Sequence, residues 1–151
     1  MSTKTCRWGI LGAAFIARKN WQAIRDAGNA TLIAVASRDL AKAQAFIEDC
    51  QSSAPHPVLP EAMDSYAALI ARTDIDAVYI PLPTGLRKEW VIRAAEAGKH
   101  VLVEKPVGVC AADVAEMIAA CEKHHVQFMD GVMFMHGRRL QLLRDVVDRD
   151  V

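Results

Sequence analysis

Residues Ala97 to Pro106 read AGKHVLVEKP, and the fold turns on this stretch. It ends the helical run EWVIRAAEAG at Gly98, where a left-handed C-cap needs a residue without Cβ. Val101, Leu102 and Val103 make a short apolar run, the pattern of a parallel strand covered on both faces. Glu104, Lys105 and Pro106 fall just past the carboxyl end of that strand. In open parallel α/β sheets, ligands sit at this edge. A lysine held there can meet a substrate oxygen, which makes Lys105 the candidate catalytic residue, and Pro106 stiffens the turn carrying it. Taken alone, the same residues describe a solvated Glu–Lys pair in a surface turn equally well.

Outward from this stretch, strand-like and helix-like segments alternate. Cys6 to Leu11 (CRWGIL) is a strand ended by Gly12, and Ala14 to Ala27 is a helix closed by Gly28. Thr31 to Ala36 (TLIAVA) is a β-branched, apolar second strand. Asp39 can cap a helix running to about Asp49, its carboxylate accepting from the first free N–H groups. Cys50 to Pro60 (CQSSAPHPVLP) predicts a proline-broken loop with at most a short edge strand near Val58. Ser65 can cap the short helix YAALIA. Then follow a strand over Ala77 to Ile80, a helix over Leu86 to Ala97, the Val101 strand, a helix over Ala111 to His124, a strand over Gln127 to Asp130 and a helix over Gly137 to Arg149. Six strands separated by helices predict right-handed crossovers and an α/β fold with a doubly wound parallel sheet, the Rossmann fold.

Composition narrows the function class. The chain has 151 residues, enough for one domain with a real core. It is 52% hydrophobic and 24% charged, globular rather than disordered. Lysine plus arginine equals aspartate plus glutamate, 18 each, so no global field favours nucleic acid or an anionic membrane. No apolar run reaches transmembrane length, and no signal-peptide core opens the chain. Cys6, Cys50, Cys110 and Cys121 are scattered without a CxxC pair, as expected of reduced thiols in a cytoplasmic protein with no metal site. Cys6 and Cys121 read as core filler.

The turn after the first strand points to a cofactor. Gly12-Ala13-Ala14-Phe15-Ile16-Ala17 is a variant of the G-x-G-x-x-G/A dinucleotide fingerprint. Gly12 permits the tight turn, small Ala17 lets helix and strand approach, and the N–H groups opening the helix can take a pyrophosphate. Ala14 replaces the second glycine, and its methyl restricts backbone approach to the phosphate. A tight strand-to-helix turn in an α/β protein that binds something else is the competing reading. The second strand ends in Ser37-Arg38, where an NAD site would place a carboxylate for the adenosine ribose. A hydroxyl and a guanidinium suit a 2′-phosphate instead, with Lys42 one helical turn on adding charge. The alternative is a surface pair of Arg38 with Asp39 or Asp26. The sequence thus favours NADP(H) over NAD(H).

Four motifs together, RWGILGAAFIARK (Arg7 to Lys19), AVASRD (Ala34 to Asp39), DAVYIPLPTGLRKEW (Asp76 to Trp90) and AGKHVLVEKP, resemble the glucose–fructose oxidoreductase, inositol dehydrogenase and MocA family. Within it the chain looks closest to members that include dimeric dihydrodiol dehydrogenase and NADP-dependent D-xylose dehydrogenase. The resemblance implies that Lys105 is the active-site lysine, that Glu104 and Pro106 fix its backbone through a cis Lys-Pro peptide, and that Pro81, Leu82, Pro83 and Thr84 line the nicotinamide side. The family often shows P-N-x-x-H after the fourth main strand. Here Pro83-Thr84-Gly85-Leu86-Arg87 stands there, and Arg87, counted with the cofactor residues, brings a fixed charge where an imidazole is usual.

The family also carries a second α/β domain that forms the substrate pocket and dimer surface and supplies a further acid or base. By that resemblance residues 1–130 are the cofactor domain, and 131–151 begin the connection to a C-terminal domain that the chain lacks. Of the five histidines, His56 and His100 occupy bland positions, His124 and His125 suit a helix C-terminus, and only His136 falls near the expected cleft. The implied protein is an NADP-dependent oxidoreductase transferring hydride to or from a CH–OH carbon of a sugar, diol or polyol. It is expected to be a homo-oligomer, with the isolated chain inactive. A non-catalytic NADP(H)-binding or regulatory module is the alternative, since the family includes transcription regulators.

Overall fold

The computed structural model describes residues 5–133 and 137–148. In chain order the elements are β1 (Cys6–Leu11), α1 (Ala17–Asp26), β2 (Ala30–Ala36), α2 (Leu40–Ser53), β3 (Glu61–Met63), α3 (Tyr66–Ile70), β4 (Ala77–Ile80), α4 (Thr84–Glu96), β5 (His100–Val103), α5 (Ala111–Lys123), β6 (Phe128–Asp130) and α6 (Arg138–Val147). All strand pairs are parallel, in the order β3-β2-β1-β4-β5-β6. The chain builds outward from β1 to β3, then returns to the other side of β1 and builds outward again. The doubly wound Rossmann sheet expected from the sequence is therefore present.

Two apolar layers hold the sheet. On one face α1 and α2 bury Trp21, Ile24, Phe46 and Ile47 against Ile10, Leu32, Val35 and Tyr79. On the other, α3, α4 and α5 bury Leu69, Val91, Ala94, Met117 and Cys121 against Val78, Ile80, Val101 and Val103. All four residues of β4 are buried, as a central strand covered on both faces requires. Gly98 does end α4 in a left-handed conformation, with φ +73. Asp39 caps α2 by accepting from the Ala41 N–H at 3.0 Å, and Ser65 caps α3 by accepting from Ala68 at 3.2 Å.

Several boundaries differ from the sequence reading, among them the start of α4, which lies at Thr84 rather than Leu86. The edge strand lies at Glu61–Met63, not near Val58, whose side chain is 73% exposed. Pro55, Pro57 and Pro60 have no N–H to give a ladder, so pairing begins only beyond the last of them. Helix α2 runs on to Ser53, where the hydroxyls of Ser52 and Ser53 donate back to the carbonyl of Asp49, and stops ahead of Pro55. Helix α1 starts at Ala17 rather than Ala14, leaving Ala14–Ile16 in the connecting turn. Helix α6 has no buried residue, and Leu142, Leu143, Val146 and Val147 are exposed. Among the described residues, no helix is long and apolar enough to cross a membrane.

Candidate functional site

The strand order reverses between β1 and β4, and a crevice opens outside the carboxyl ends of the strands there. A cavity of about 430 Å³ occupies it, lined by Gly12–Ala14, Ser37–Asp39, Lys42, Tyr66 and Pro81–Pro83. Gly12 has φ +121, and a Cβ placed on it would stand 3.0 Å from Leu82 Cδ2, so the turn fits against the loop after β4 only as glycine. The backbone N–H groups of Ala13, Ala14, Phe15 and Ile16 make no hydrogen bond among the described residues. They form a set of free donors at the opening of α1, where the helix dipole favours an anion. Phe15 is 85% exposed and lies beside Arg18, whose guanidinium carbon is 5.7 Å from the ring centre.

At the β2 end the hydroxyl of Ser37 is half turned to its own loop, accepting from Asp39 N–H at 3.4 Å. Arg38 and Lys42 are exposed and make no ion pair or hydrogen bond among the described residues. The acids that could have neutralised Arg38 are engaged otherwise, Asp39 as a helix cap and Asp26 with Arg25. Two exposed cations beside a hydroxyl, in a cleft that also holds free N–H groups, form a set matched to a phosphate monoester. The residues present therefore fit a dinucleotide bearing a 2′-phosphate.

The β5 end is built in the opposite way. Lys105 projects from the turn after β5 and is exposed, bordering a second cavity of about 600 Å³ with Gly131, Val132 and Met133. Its backbone is held from both faces of the sheet. The hydroxyl of buried Tyr79 donates to Glu104 Oε1 at 2.7 Å, and the Lys105 N–H donates to Glu104 Oε2 at 3.2 Å. Burial, and next the Glu104 carboxylate, push the Tyr79 phenol far above its ordinary range, so the hydroxyl stays protonated and remains a donor. From the other face, Arg87 donates to the carbonyls of Leu82 (2.6 Å), Glu104 (2.8 Å) and Pro106. The Lys105–Pro106 peptide is cis, as the resemblance implied. Thr84 opens α4 directly after Pro83, the last residue of that loop to line the crevice.

The structure thus brings Gly12–Ala14, Ser37, Arg38, Lys42 and Pro81–Pro83 around one crevice, with Phe15, Ile16 and Thr84 next in sequence but not in its lining, and with Glu104, Lys105 and Pro106 on the neighbouring strand end. Arg87 does not face the crevice as a free charge; only 7% of it is exposed. His136 lies outside the described residues. Tyr79 went unread in the sequence, although a lone phenol in the otherwise aliphatic strand AVYI was the signal. A further cavity of about 290 Å³ lies beneath α1, between Trp8, Asn20, Ile24, Tyr79 and Leu102. Among the described residues no charged side chain lines it, so they offer no cation to a phosphate there. Among the described residues no group of three or more His, Cys, Asp or Glu could hold a metal ion.

Comparison with known proteins identifies the fold and the family. The family described as "Oxidoreductase family, NAD-binding Rossmann fold" (GFO_IDH_MocA) matches residues 6–132. A dTDP-3,4-didehydro-2,6-dideoxy-alpha-D-glucose 3-reductase of Saccharopolyspora spinosa is 38% identical over 145 residues, covering 95% of this chain and 41% of that protein. A D-xylose 1-dehydrogenase (NADP(+)) of Haloferax volcanii is 40% identical over 127 residues, covering 84% of this chain and 37% of that protein. Among solved structures, the 3-ketoreductase KijD10 from Actinomadura kijaniata, in complex with TDP-benzene and NADP, superposes with a TM-score of 0.87 at 32% identity, covering 98% of this chain and 45% of that one. The chain spans less than half the length of each of these relatives. It belongs to the glucose–fructose oxidoreductase, inositol dehydrogenase and MocA family of oxidoreductases, with that family's NAD-binding Rossmann fold.

Proposed function

We propose that this chain forms the cofactor half of an NADP-dependent oxidoreductase acting on a CH–OH carbon of a sugar, diol or polyol. One observation carries the reading. Arg38, just past β2, and Lys42, in the first turn of α2, have no partner among the described residues, and they share the carboxyl edge of one sheet with the exposed Lys105 beyond β5, on either side of the switch point. In this reading Ser37, Arg38 and Lys42 take the 2′-phosphate, the N–H groups of Ala13–Ile16 take the pyrophosphate, and Pro81–Thr84 back the nicotinamide. When bound, the cofactor supplies hydride exchange at nicotinamide C4. The Lys105 ammonium donates to the substrate oxygen and stabilises the charge that develops on it, while Glu104 and Pro106 fix its backbone.

The relatives support the class of reaction, since two act on sugars or sugar nucleotides and KijD10 was solved with NADP. Within the proposal, residues 1–130 are the cofactor domain, and the segment from 131 leads to a domain holding the substrate and a second acid or base. The exposed apolar residues of α6 favour a covered, homo-oligomeric assembly, and the unpaired thiols favour a cytoplasmic setting. The test is a fluorescence titration of the chain with NADPH and NADH. NADPH is expected to bind more tightly, and Arg38→Ala to remove about 1.5–3 kcal/mol from NADPH alone, the size of a charge-assisted hydrogen bond. Equal wild-type affinity for the two cofactors would overturn the NADP assignment.

A further inference from the structure

Among the described residues two cations are buried, Lys99 and Arg87. Lys99 sits at the amino end of β5, its ammonium donating to the carbonyls of Arg72 and Ile75, away from the crevice. Arg87 lies at the other end of the sheet, one turn into α4. Its guanidinium reaches back to Leu82 O in the loop after β4 and across to Glu104 O and Pro106 O in the turn after β5. The last two carbonyls flank Lys105 on either side in sequence. One planar group therefore ties the Lys105 turn to the Pro81–Pro83 loop, and does so at the carbonyl before Lys105 and the one after it.

We propose that Arg87 is a positioning residue that sets the backbone of Lys105 against the nicotinamide-facing loop. The inference rests on the cofactor reading above and deepens it. The geometry demands a guanidinium. It offers five N–H donors in a fixed fork, and here its Nε and Nη1 serve three acceptors on two different segments. A lysine ammonium has donors but no fork to hold them in one plane, and an imidazole has at most two N–H groups. Burial disfavours the Arg87 charge and the nearby Glu104 carboxylate offsets part of that, while every hydrogen bond the guanidinium makes among the described residues goes to a main-chain carbonyl. On the opposite side Tyr79 and the Glu104 carboxylate complete the hold, so the Lys105 main chain is restrained while its ammonium stays free.

The test separates the two ends of the cofactor and adds a readout that needs no cofactor. Arg87→Lys keeps the charge and loses the fork; Arg87→Gln loses both. NADPH affinity should fall about tenfold in Arg87→Gln, because the Pro81–Pro83 loop and the Lys105 turn are no longer fixed to one another, and less in Arg87→Lys. The ligand 2′,5′-ADP, which spans only the adenosine end, should keep its wild-type affinity in both. Hydrogen exchange at the Lys105 and Val107 amides of the unliganded chain should speed up in Arg87→Lys. Unchanged NADPH binding with unchanged exchange would overturn the proposal. So would an equal loss for both ligands in Arg87→Lys, because that outcome assigns Arg87 to the fold as a whole. A wild-type chain that binds neither ligand contradicts the cofactor reading, and exchange at 105 and 107 then still decides whether Arg87 holds the turn.

Discussion

The two ends of the crevice handle charge in opposite ways. At the β2 end, Arg38 and Lys42 stand exposed with no partner among the described residues. At the β5 end, Tyr79, Arg87 and Glu104 are buried, and each is committed to a short hydrogen bond. The difference follows from what each end is proposed to do. A group that recognises a phosphate gains most when its donors are free until the ligand arrives. A group that places a reacting lysine must already be in position, because geometry assembled in advance costs nothing at the moment of reaction.

The strongest challenge to this contrast is catalytic. The β5 end holds Lys105 but not the substrate, and aligning a substrate carbon against the nicotinamide is worth about 7–11 kcal/mol of barrier. The chain alone should bind NADPH yet show no NADP-linked turnover of aldoses, trans-dihydrodiols or inositols. Turnover abolished by Lys105→Ala would break the contrast, because the β5 end would then be a complete site without further chain. Next in size, Tyr79→Phe removes a donor from a buried carboxylate and should cost about 1–3 kcal/mol in urea unfolding. At the other end, Arg38→Ala should leave stability within about 0.5 kcal/mol, as expected of an exposed unpaired side chain. If Arg38→Ala destabilises the chain as much as Tyr79→Phe, the two ends are not built differently.

The smallest effect lies away from both ends. His56 is buried edge-on against Trp21, with ring centroids 4.7 Å apart and Nε2 3.1 Å from the Trp21 carbonyl. Burial is the main cause that lowers its pKa from 6.5. The folded chain therefore holds His56 neutral where the unfolded chain would take up a proton. The stability this contributes is full above pH 6.5 and is lost as pH falls from there through the lowered value. Between pH 7.5 and 5, urea midpoints of the wild type should fall more than those of His56→Gln, with a difference no steeper than about 1.4 kcal/mol per pH unit. Parallel profiles would show that the imidazole is not what titrates.

What could be read in the sequence was mostly local. Strands β1 and β4 begin and end where their apolar runs do, and Asp39 and Ser65 cap α2 and α3. Gly12 and Gly98 mark backbone that only glycine enters readily, so each announces its turn without help from distant residues. The crevice residues were legible for the same reason, since each follows the end of its own strand. The edge strand was not, because three residues of β3 carry too little pattern to compete with three nearby prolines. The links around Lys105 were also hidden: Tyr79 meets Glu104 across 25 positions and Arg87 meets it across 17. Nothing in the string PTGLRKE says whether its arginine reaches out to a ligand or back to three carbonyls. His56 looked bland for a like reason, its cover coming from Trp21, 35 positions away.

A crystal structure of the chain grown with NADP+ tests the account most directly. The 2′-phosphate should lie within hydrogen-bond reach of Ser37, Arg38 and Lys42, the pyrophosphate on the N–H groups of Ala13–Ile16, and the nicotinamide against Pro81–Thr84 on the side facing Lys105. Arg87 should keep all three of its carbonyl contacts. A dinucleotide whose adenosine phosphate points away from Arg38, or one seated in the cavity between Trp8 and Tyr79, would contradict it.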